Sequence, residues 1–430
     1  MRVLVIGGYG LIGGYVMAAL HRERWKIIGA GREIAPAARR LPFAAWVMVD
    51  LRRMREPTQW AHLLVGVDAV VNCAGALQES PRDDLAVVHV EAMRALFAAC
   101  ATAGVRKIVH ISAAGLDGQV TRYAETKRDA EAALRGTDLD WAILRPALVL
   151  APAAYGGSAL LRGLAAFPGF IPALFADRLV QVVSAEDVAE AVVRCVQPGA
   201  PGRIALDIAA PSATSLRDIL LALRTWLGLP PAPVIAVPAA IGRLAAWAAD
   251  AVAALGWRSP MRSTSLAQLA GGVEARGPGA EAVLGFAPKS LDEMLAGWPS
   301  GVQERWFARL YFLKPFGLVA LIAFWLVSGV IGLTVGRQQA AGLLTPPLAP
   351  PLANAAVAAG GLLDVALAAL ACFRRTAPAA LKGMVALSAA YLAGATLVRP
   401  DLWTDPLGPL VKAVPAALLA LMVLAVMDER

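Results

Sequence analysis

The chain reads as a doubly wound, parallel α/β domain with a smaller lobe behind it, followed by a bundle of four transmembrane helices. Three observations lead there: a glycine-rich turn between an apolar strand and a helix near the N-terminus, a repeated alternation of apolar runs with helix-period segments, and a change of composition near Pro315.

The run Val3-Leu4-Val5-Ile6 leads into Gly7-Gly8-Tyr9-Gly10-Leu11-Ile12-Gly13-Gly14 and then into a helical pattern. Gly7, Gly10 and Gly13 let the backbone turn tightly, approach a pyrophosphate closely and pack helix against strand. The helix N-terminus offers unpaired N–H groups and a partial positive charge to the phosphates. A glycine pattern alone is a weak signal, and its place at the first strand-to-helix turn is what gives it weight. Further strands are expected at residues 26–30, 46–50, 68–72, 107–112 and 141–144, with helical segments such as 92–103 between them. Near-continuous apolar strands alternating with helices imply a parallel sheet covered on both faces, with ligands at the carboxyl ends of its strands.

Residues 146–299 are less regular, broken by Pro152, Gly156-Gly157, Pro168-Gly169 and Pro230-Pro231, and read as a second lobe that closes over the nucleotide and contacts substrate. The apolar stretch 160–175 fits either a greasy pocket or bilayer contact, or an ordinary buried loop. Residues 239–257 look like a membrane span, but Arg243 and Asp250 lie seven apart on one helical face and argue for a packed or interfacial amphipathic helix.

An apolar fraction of 58% and a mean hydropathy of +0.59 over 430 residues are too high for an ordinary soluble protein. The excess begins near Pro315. A span needs roughly 20 apolar residues, and four stretches are expected to serve: 315–335, 352–373 with Asp364 inside it, 377–398 with Lys382 near one end, and 407–427 with Lys412 near one end. Arg305, Arg309 and Lys314 precede the first, and Arg374, Arg375 and Lys382 lie between the second and third, so those sides are expected to be cytoplasmic. An ionised Asp364 at mid-bilayer costs about 2.5–3.5 kcal/mol, so it should face the bundle interior. An interhelical hydrogen bond and a functional polar site both fit it. The expected boundaries are 1–298 for the nucleotide domain (1–150 its core, 150–298 mainly the second lobe), 299–314 for a juxtamembrane linker and 315–430 for the membrane domain.

The net charge of +8 comes from scattered basic residues without interleaved aromatics, which speaks against nucleic acid. Cys73, Cys100, Cys195 and Cys372 are far apart and lack ligand spacing, so no metal site is expected and a reducing compartment fits. No secretory signal is expected, because the first apolar stretch runs straight into the glycine loop.

Tyr123-Ala-Glu-Thr-Lys127 lies beyond the fifth strand at the start of a helical pattern, which puts Tyr123 and Lys127 on one face a turn apart. Carbonyl reduction by hydride needs a proton donor for the nascent alkoxide. A tyrosine serves if its pKa of about 10 is lowered, and a nearby ammonium is expected to lower it. Ser112, at the carboxyl end of the fifth strand, is placed to hydrogen-bond the same oxygen.

Taken together, the glycine pattern, Val71-Asn72-Cys73-Ala74-Gly75, His110-Ile111-Ser112, the Tyr123/Lys127 pair, Leu144-Arg145-Pro146 and the run from Val183 to Ala189 resemble the extended or atypical short-chain dehydrogenase/reductase superfamily. The nearest branch is that of the NmrA-like proteins and the NDUFA9-type subunit of complex I. The tail resembles the DoxX-like membrane family, mainly by hydropathy. The first resemblance implies a Rossmann domain with Gly7, Gly10, Leu11, Ile12 and Gly13 at the pyrophosphate, Asp50 near the adenine, and Asn72, Ala74 and Gly75 lining the cofactor. It makes Tyr123 and Lys127 the catalytic pair, with Lys127 also on the nicotinamide ribose. Ser112-Ala113-Ala114 leaves one hydroxyl where relatives often have two.

Cofactor choice turns on Gly31-Arg32-Glu33. Arg32 suits the 2′-phosphate of NADP, whereas an inward Glu33 would suit the ribose hydroxyl of NAD. The leading expectation is an oxidoreductase tethered to the inner membrane, its nucleotide domain in the cytoplasm, acting on a carbonyl or alcohol of an apolar substrate. The rivals are a non-catalytic NADP(H)-binding sensor or assembly subunit, which needs neither Tyr123 nor Lys127, and an NAD-dependent epimerase or dehydratase.

Overall fold

Among the described residues seven strands pair into one wholly parallel sheet: β1 (Arg2–Ile6), β2 (Lys26–Gly31), β3 (Ala45–Met48), β4 (Ala69–Asn72), β5 (Lys107–Ile111), β6 (Trp141–Pro146) and β7 (Ile204–Ile208). Their spatial order is β7-β6-β5-β4-β1-β2-β3. The computed structural model describes residues 1–79, 83–345, 348–406 and 408–427. Alternate side chains of β1 go to opposite faces, as the pleat requires. Val3 and Val5 meet Val16 and Leu20 of α1 (Leu11–Arg22), while Leu4 and Ile6 share a core with Leu96 and Phe97 of α2 (Ala92–Ala103) and Leu134 of α3 (Arg122–Arg135). The first face also takes Val188 and Val192 of α4 (Ala185–Val196). Each such side chain contributes roughly 1.5–3 kcal/mol by leaving water, which explains why both strand faces are apolar.

Connections from β1 go to opposite sides, since β1 pairs with β2 on one edge and β4 on the other, with Ile6 level with both Ala30 and Asn72. A crevice opens at the carboxyl ends of strands where the order reverses, so β1 and β4 define the ligand position.

Six strands are expected from the sequence; the seventh, β7, and helix α4 fall in the stretch read as second lobe. Asp207 interrupts the apolar run of β7, and it serves to hold a loop, its Oδ2 accepting from the backbone N–H groups of Arg276 and Gly277 at 2.8 Å each. The lobe proper has its own core, with Leu161, Ile219, Leu220, Leu223 and Met294 at its centre. The 160–175 stretch joins that core: a helix ends at Ala165, and the strand Ile171–Ala173 pairs with Val234–Ala236, burying Ile171 and Ala173 completely. Helix α5 (Ala239–Ala253) follows.

The chain divides into two compact units, Met1–Asp250 with Ser259–Ala308, and Ala251–Arg258 with the chain from Arg309 onward. Helix α6 (Val302–Leu333) runs on through Pro315, so the expected linker is helical from Val302; α7 (Pro350–Cys372) and α8 (Ala377–Val398) follow in the second unit. These three are long and apolar enough to cross a membrane. The fourth expected span is shorter than foreseen: α9 (Pro409–Ala425) has 17 residues, about 25 Å of helix against roughly 30 Å of hydrocarbon. Leu407, its expected first residue, lies outside the described residues. Three candidate spans, not four, are therefore present among the described residues, with α9 packed on them through Ala420 and Val423. Asp364 is buried, and Tyr391 Oη donates to its Oδ1 at 2.9 Å, linking α7 to α8. Interhelical hydrogen bonds of this kind contribute about 0.6–2 kcal/mol.

Candidate dinucleotide and catalytic site

The turn after β1 can be built only from glycine at two places. Gly7 has φ +73°, and a Cβ there would stand 2.8 Å from Ala74 N; a Cβ on Gly13 would stand 2.2 Å from Gly7 O. Loop, helix α1 and the end of β4 thus meet backbone to backbone. Gly10 is the N-cap of α1 with no side chain closing the helix, so the first-turn N–H groups of Leu11, Ile12 and Gly13 remain for an anion. A pyrophosphate fits this cradle because its walls are backbone.

Asn72 ends β4. Its Oδ1 accepts from Ala74 N at 3.1 Å, which leaves Nδ2 to donate to His110 Nδ1 at 3.1 Å. His110 is therefore the Nε2–H tautomer, and burial, with the charge of Lys127 adding to it, pushes its pKa down to about 3. The next residues are held by His89, whose Nε2 accepts from Ala76 N at 3.1 Å and whose Nδ1 pairs with Thr126 Oγ1 of α3 at 2.9 Å. Accepting at Nε2 places the proton on Nδ1, and burial keeps the ring neutral.

Helix α3 starts at Thr121, which accepts from Ala124 N at 3.2 Å, and carries Tyr123 and Lys127 one turn apart. Lys127 is buried and its Nζ donates to Ile111 O, beside Ser112, at 3.0 Å. A Cβ on Gly75 would lie 3.2 Å from the same Nζ. Gly7, Ala74, Gly75 and Lys127 thus form one continuous wall from phosphate cradle to ammonium. The Tyr123 ring stands edge-on to His89 at 5.9 Å, alongside that wall.

Burial moves both titrating groups. It brings Lys127 down to about 8, with Glu131 and Cys73 opposing, and pushes Tyr123 up to about 12. The expectation of a lowered tyrosine pKa is corrected here: loss of water around the phenolate outweighs the ammonium, which is engaged by a carbonyl. Because Lys127 has a lower pKa folded than its free value of 10.5, the unfolded chain holds the extra proton at this site between about pH 8 and 10.5, so the Lys127 contribution to stability rises with pH across that window and is flat below it, while the buried thiols of Cys73, Cys100 and Cys195, pushed up from 9.0, oppose it above about pH 9. Lys127→Met is expected to abolish the rise. Thermal unfolding of the full chain from about pH 7 to 10 checks this; parallel curves for the two proteins would contradict it.

Ser112 is buried at the end of β5, its N–H bonded to Leu144 O at 2.7 Å. Its Oγ has no partner at hydrogen-bond distance, though it lies near enough to Glu131 to help hold that carboxylate ionised. Glu131 is gripped on both oxygens by Arg145 of β6, at 2.8 and 2.5 Å, which locks α3 against the sheet. Neither His89 nor the Glu131–Arg145 pair was singled out from the sequence. A histidine within an apolar helix, a carboxylate one turn beyond Lys127 and Arg145 of the Leu144-Arg145-Pro146 run are the signals the sequence offers.

The end expected to take the adenine is less open. Asp50 caps the turn Leu51–Arg53, and Arg52 occupies its carboxylate with Nη2 at 2.6 Å. That guanidinium holds the Asp50 carboxyl below its ordinary range. Arg32 follows β2 and its Nη1 pairs with Asp83 at 2.9 Å, while its N–H bonds Tyr9 Oη at 3.2 Å.

Residues 7–198 match the family model of NAD(P)H-binding domains, and residues 322–422 match that of the DoxX-like family. The chain carries an NAD(P)-binding Rossmann domain followed by a DoxX-like domain. The chain is related in sequence to a ceramide reductase of Caulobacter vibrioides, 26% identical over 193 residues, which are 44% of this chain and 59% of that protein's length. In fold it is similar to WbmG of Bordetella bronchiseptica in complex with NAD (TM-score 0.53, 17% identity, covering 69% of this chain and 92% of that one). It is likewise similar to UDP-glucose 4-epimerase of Thermotoga maritima with UDP-glucose (TM-score 0.53, 17% identity, 74% and 100%). At such identities the structural likeness is one of fold. The expectation of an NAD(P)-binding Rossmann domain followed by a DoxX-like domain is borne out.

Proposed function

We propose that the chain is a membrane-tethered NAD(P)-dependent oxidoreductase of the short-chain dehydrogenase/reductase type that interconverts a carbonyl and an alcohol on an apolar substrate. The observation that carries this is the continuous wall from Gly7 through Gly75 to Lys127 Nζ, with the Tyr123 ring beside it. Leu11, Ile12 and Gly13 would hold the pyrophosphate through their N–H groups, Asp50 would sit at the adenine, and Asn72, Ala74 and Gly75 would line the nicotinamide side. A bound nicotinamide would supply or take the hydride. Lys127 would hold the ribose and, as an ammonium below about pH 8, stabilise negative charge on the Tyr123 oxygen. Tyr123, protonated at neutral pH, would donate to the carbonyl oxygen, and Ser112 Oγ, short of a partner, would orient that oxygen.

Arg32 supports NADP, its guanidinium passing from Asp83 to the 2′-phosphate, where bidentate geometry favours arginine. An apolar substrate is supported by the membrane domain, which concentrates lipid-soluble molecules near a tethered site; the name of the ceramide reductase relative points the same way. Arg305, Arg309, Arg374 and Arg375 support an inner-membrane placement with the nucleotide domain in the cytoplasm.

Full-length protein in nanodiscs, given NADPH or NADH with a panel of long-chain ketones, tests the proposal. Cofactor oxidation that depends on ketone is expected, with NADPH preferred and that preference falling about tenfold in Arg32→Ala. Binding of both cofactors without oxidation on any ketone would contradict it and favour a sensor.

A further inference from the structure

Helix α5 is built inside out. Wound at 3.6 residues per turn, Gly242, Ala246, Ala249, Asp250 and Ala253 share one side, all buried or half-buried. That side is fastened to the protein. A Cβ on Gly242 would lie 2.6 Å from Leu174, and Asp250 accepts from Arg262 Nε at 2.6 Å and from the backbone and hydroxyl of Ser263. The opposite side carries Ile241, Leu244, Trp247, Ala248 and Val252, and its large residues are 56%, 65%, 70% and 45% exposed for Ile241, Leu244, Trp247 and Val252. The helix's only ionised pair-forming carboxylate thus points inward, while the outward arc is apolar. Single exposed apolar residues are ordinary, whereas a contiguous stripe of this size marks a surface that something covers.

The chain's own continuity says what covers it. Residues Ala251–Arg258, which include the last turn of α5, belong to the compact unit that holds the candidate spans. There Trp257 Nε1 donates to Cys372 O, the last residue of α7, at 2.7 Å, Arg374 N donates to Leu255 O at 3.1 Å, and the Arg374 guanidinium lies over the Trp257 ring. The last turn of α5 therefore belongs with the end of a candidate span, where charged residues begin and a membrane–water boundary is expected. At 15 residues, about 22 Å, the helix is too short to cross. Trp247 on the apolar side and Arg243 at its edge are the residue types that settle at headgroup depth.

We propose that α5 is an interfacial helix whose Ile241–Leu244–Trp247–Val252 face is sunk into the headgroup and upper acyl region of the bilayer. Apolar burial would hold it there, and Arg243 would meet anionic headgroups. The proposal rests on the membrane assignment of the second unit and not on the oxidoreductase reading.

The test places the photo-crosslinking residue benzoylphenylalanine at Leu244, Trp247 or, as a water-exposed control, Val120, which is 88% exposed. The full-length chain is reconstituted in nanodiscs of phosphatidylcholine and phosphatidylglycerol and irradiated, and intact-protein mass spectrometry counts adducts. Single-phospholipid adducts are expected at positions 244 and 247 at roughly ten times the level at 120. Equal adduct levels at all three positions, or crosslinks from 244 and 247 to a second copy of the chain in place of lipid, would overturn it. NADPH binding measured on the same samples reports whether each labelled chain is folded, and it is expected to be unchanged.

Discussion

Tyr123→Phe is expected to lower turnover by about 10²–10⁴-fold while NAD(P)H affinity stays within about twofold. The ring remains, so its edge-on contact with His89 and the packing at the start of α3 survive. What disappears is one O–H, the only part of the residue the proposed chemistry uses. Proton donation by a positioned side chain is worth this range, and because the donor acts on the carbonyl oxygen the loss should appear in kcat more than in KM. At neutral pH the phenol carries its proton at either its ordinary or its raised pKa, so the donor is loaded when the cofactor binds. A variant that keeps wild-type turnover would remove Tyr123 from the mechanism. Steady-state kinetics and a fluorescence titration of NADPH on one preparation separate the two parameters.

The second large effect is expected at Gly13. A methyl group there would sit 2.2 Å from Gly7 O and 2.9 Å from Gly8 Cα, which are backbone atoms that cannot swing away. Either the helix or the loop must shift, and both belong to the proposed phosphate cradle. Gly13→Ala is therefore expected to weaken dinucleotide binding on the order of 100-fold and to cost about 1–3 kcal/mol of stability from overpacking. Gly14→Ala is the control. Its added methyl would meet its nearest atom, Gly8 O, only at 4.0 Å, so affinity should hold. Replacing glycine in a helix should also add about 0.5–1 kcal/mol of stability. Equal affinity in the two variants, read by titration calorimetry, would contradict the cradle as described.

How far the sequence alone reveals this depends on how local each feature is. The glycine loop and the Tyr123/Lys127 pair are legible because a tight turn and an i,i+4 spacing are written in neighbouring residues. Six strands are legible for the same reason, as near-continuous apolar runs. Strand β7 is not, because Asp207, needed by the loop at Arg276 and Gly277, spoils its apolar run. The partner of Arg32, Asp83, lies 51 positions on and leaves no local trace. The sign of the Tyr123 pKa shift depends on burial, which only the assembled domain decides. Hydropathy counts apolar residues but does not see where a helix stops, so α9 reads as a span in the sequence and is about one turn short of one. Helix α5 shows the same limit, since its amphipathic pattern is legible while the outward direction of its apolar side is a fact of packing.

The central claim is hydride exchange at the end of the Gly7-to-Lys127 wall. NADPH carrying deuterium at the nicotinamide C4, mixed with full-length protein in nanodiscs and a long-chain ketone, tests it in a single turnover. Mass spectrometry of the alcohol is predicted to show deuterium on the former carbonyl carbon in wild type and almost none in Tyr123→Phe over the same interval. An alcohol free of deuterium from the wild-type chain, or cofactor that binds and stays unoxidised throughout, would contradict the account.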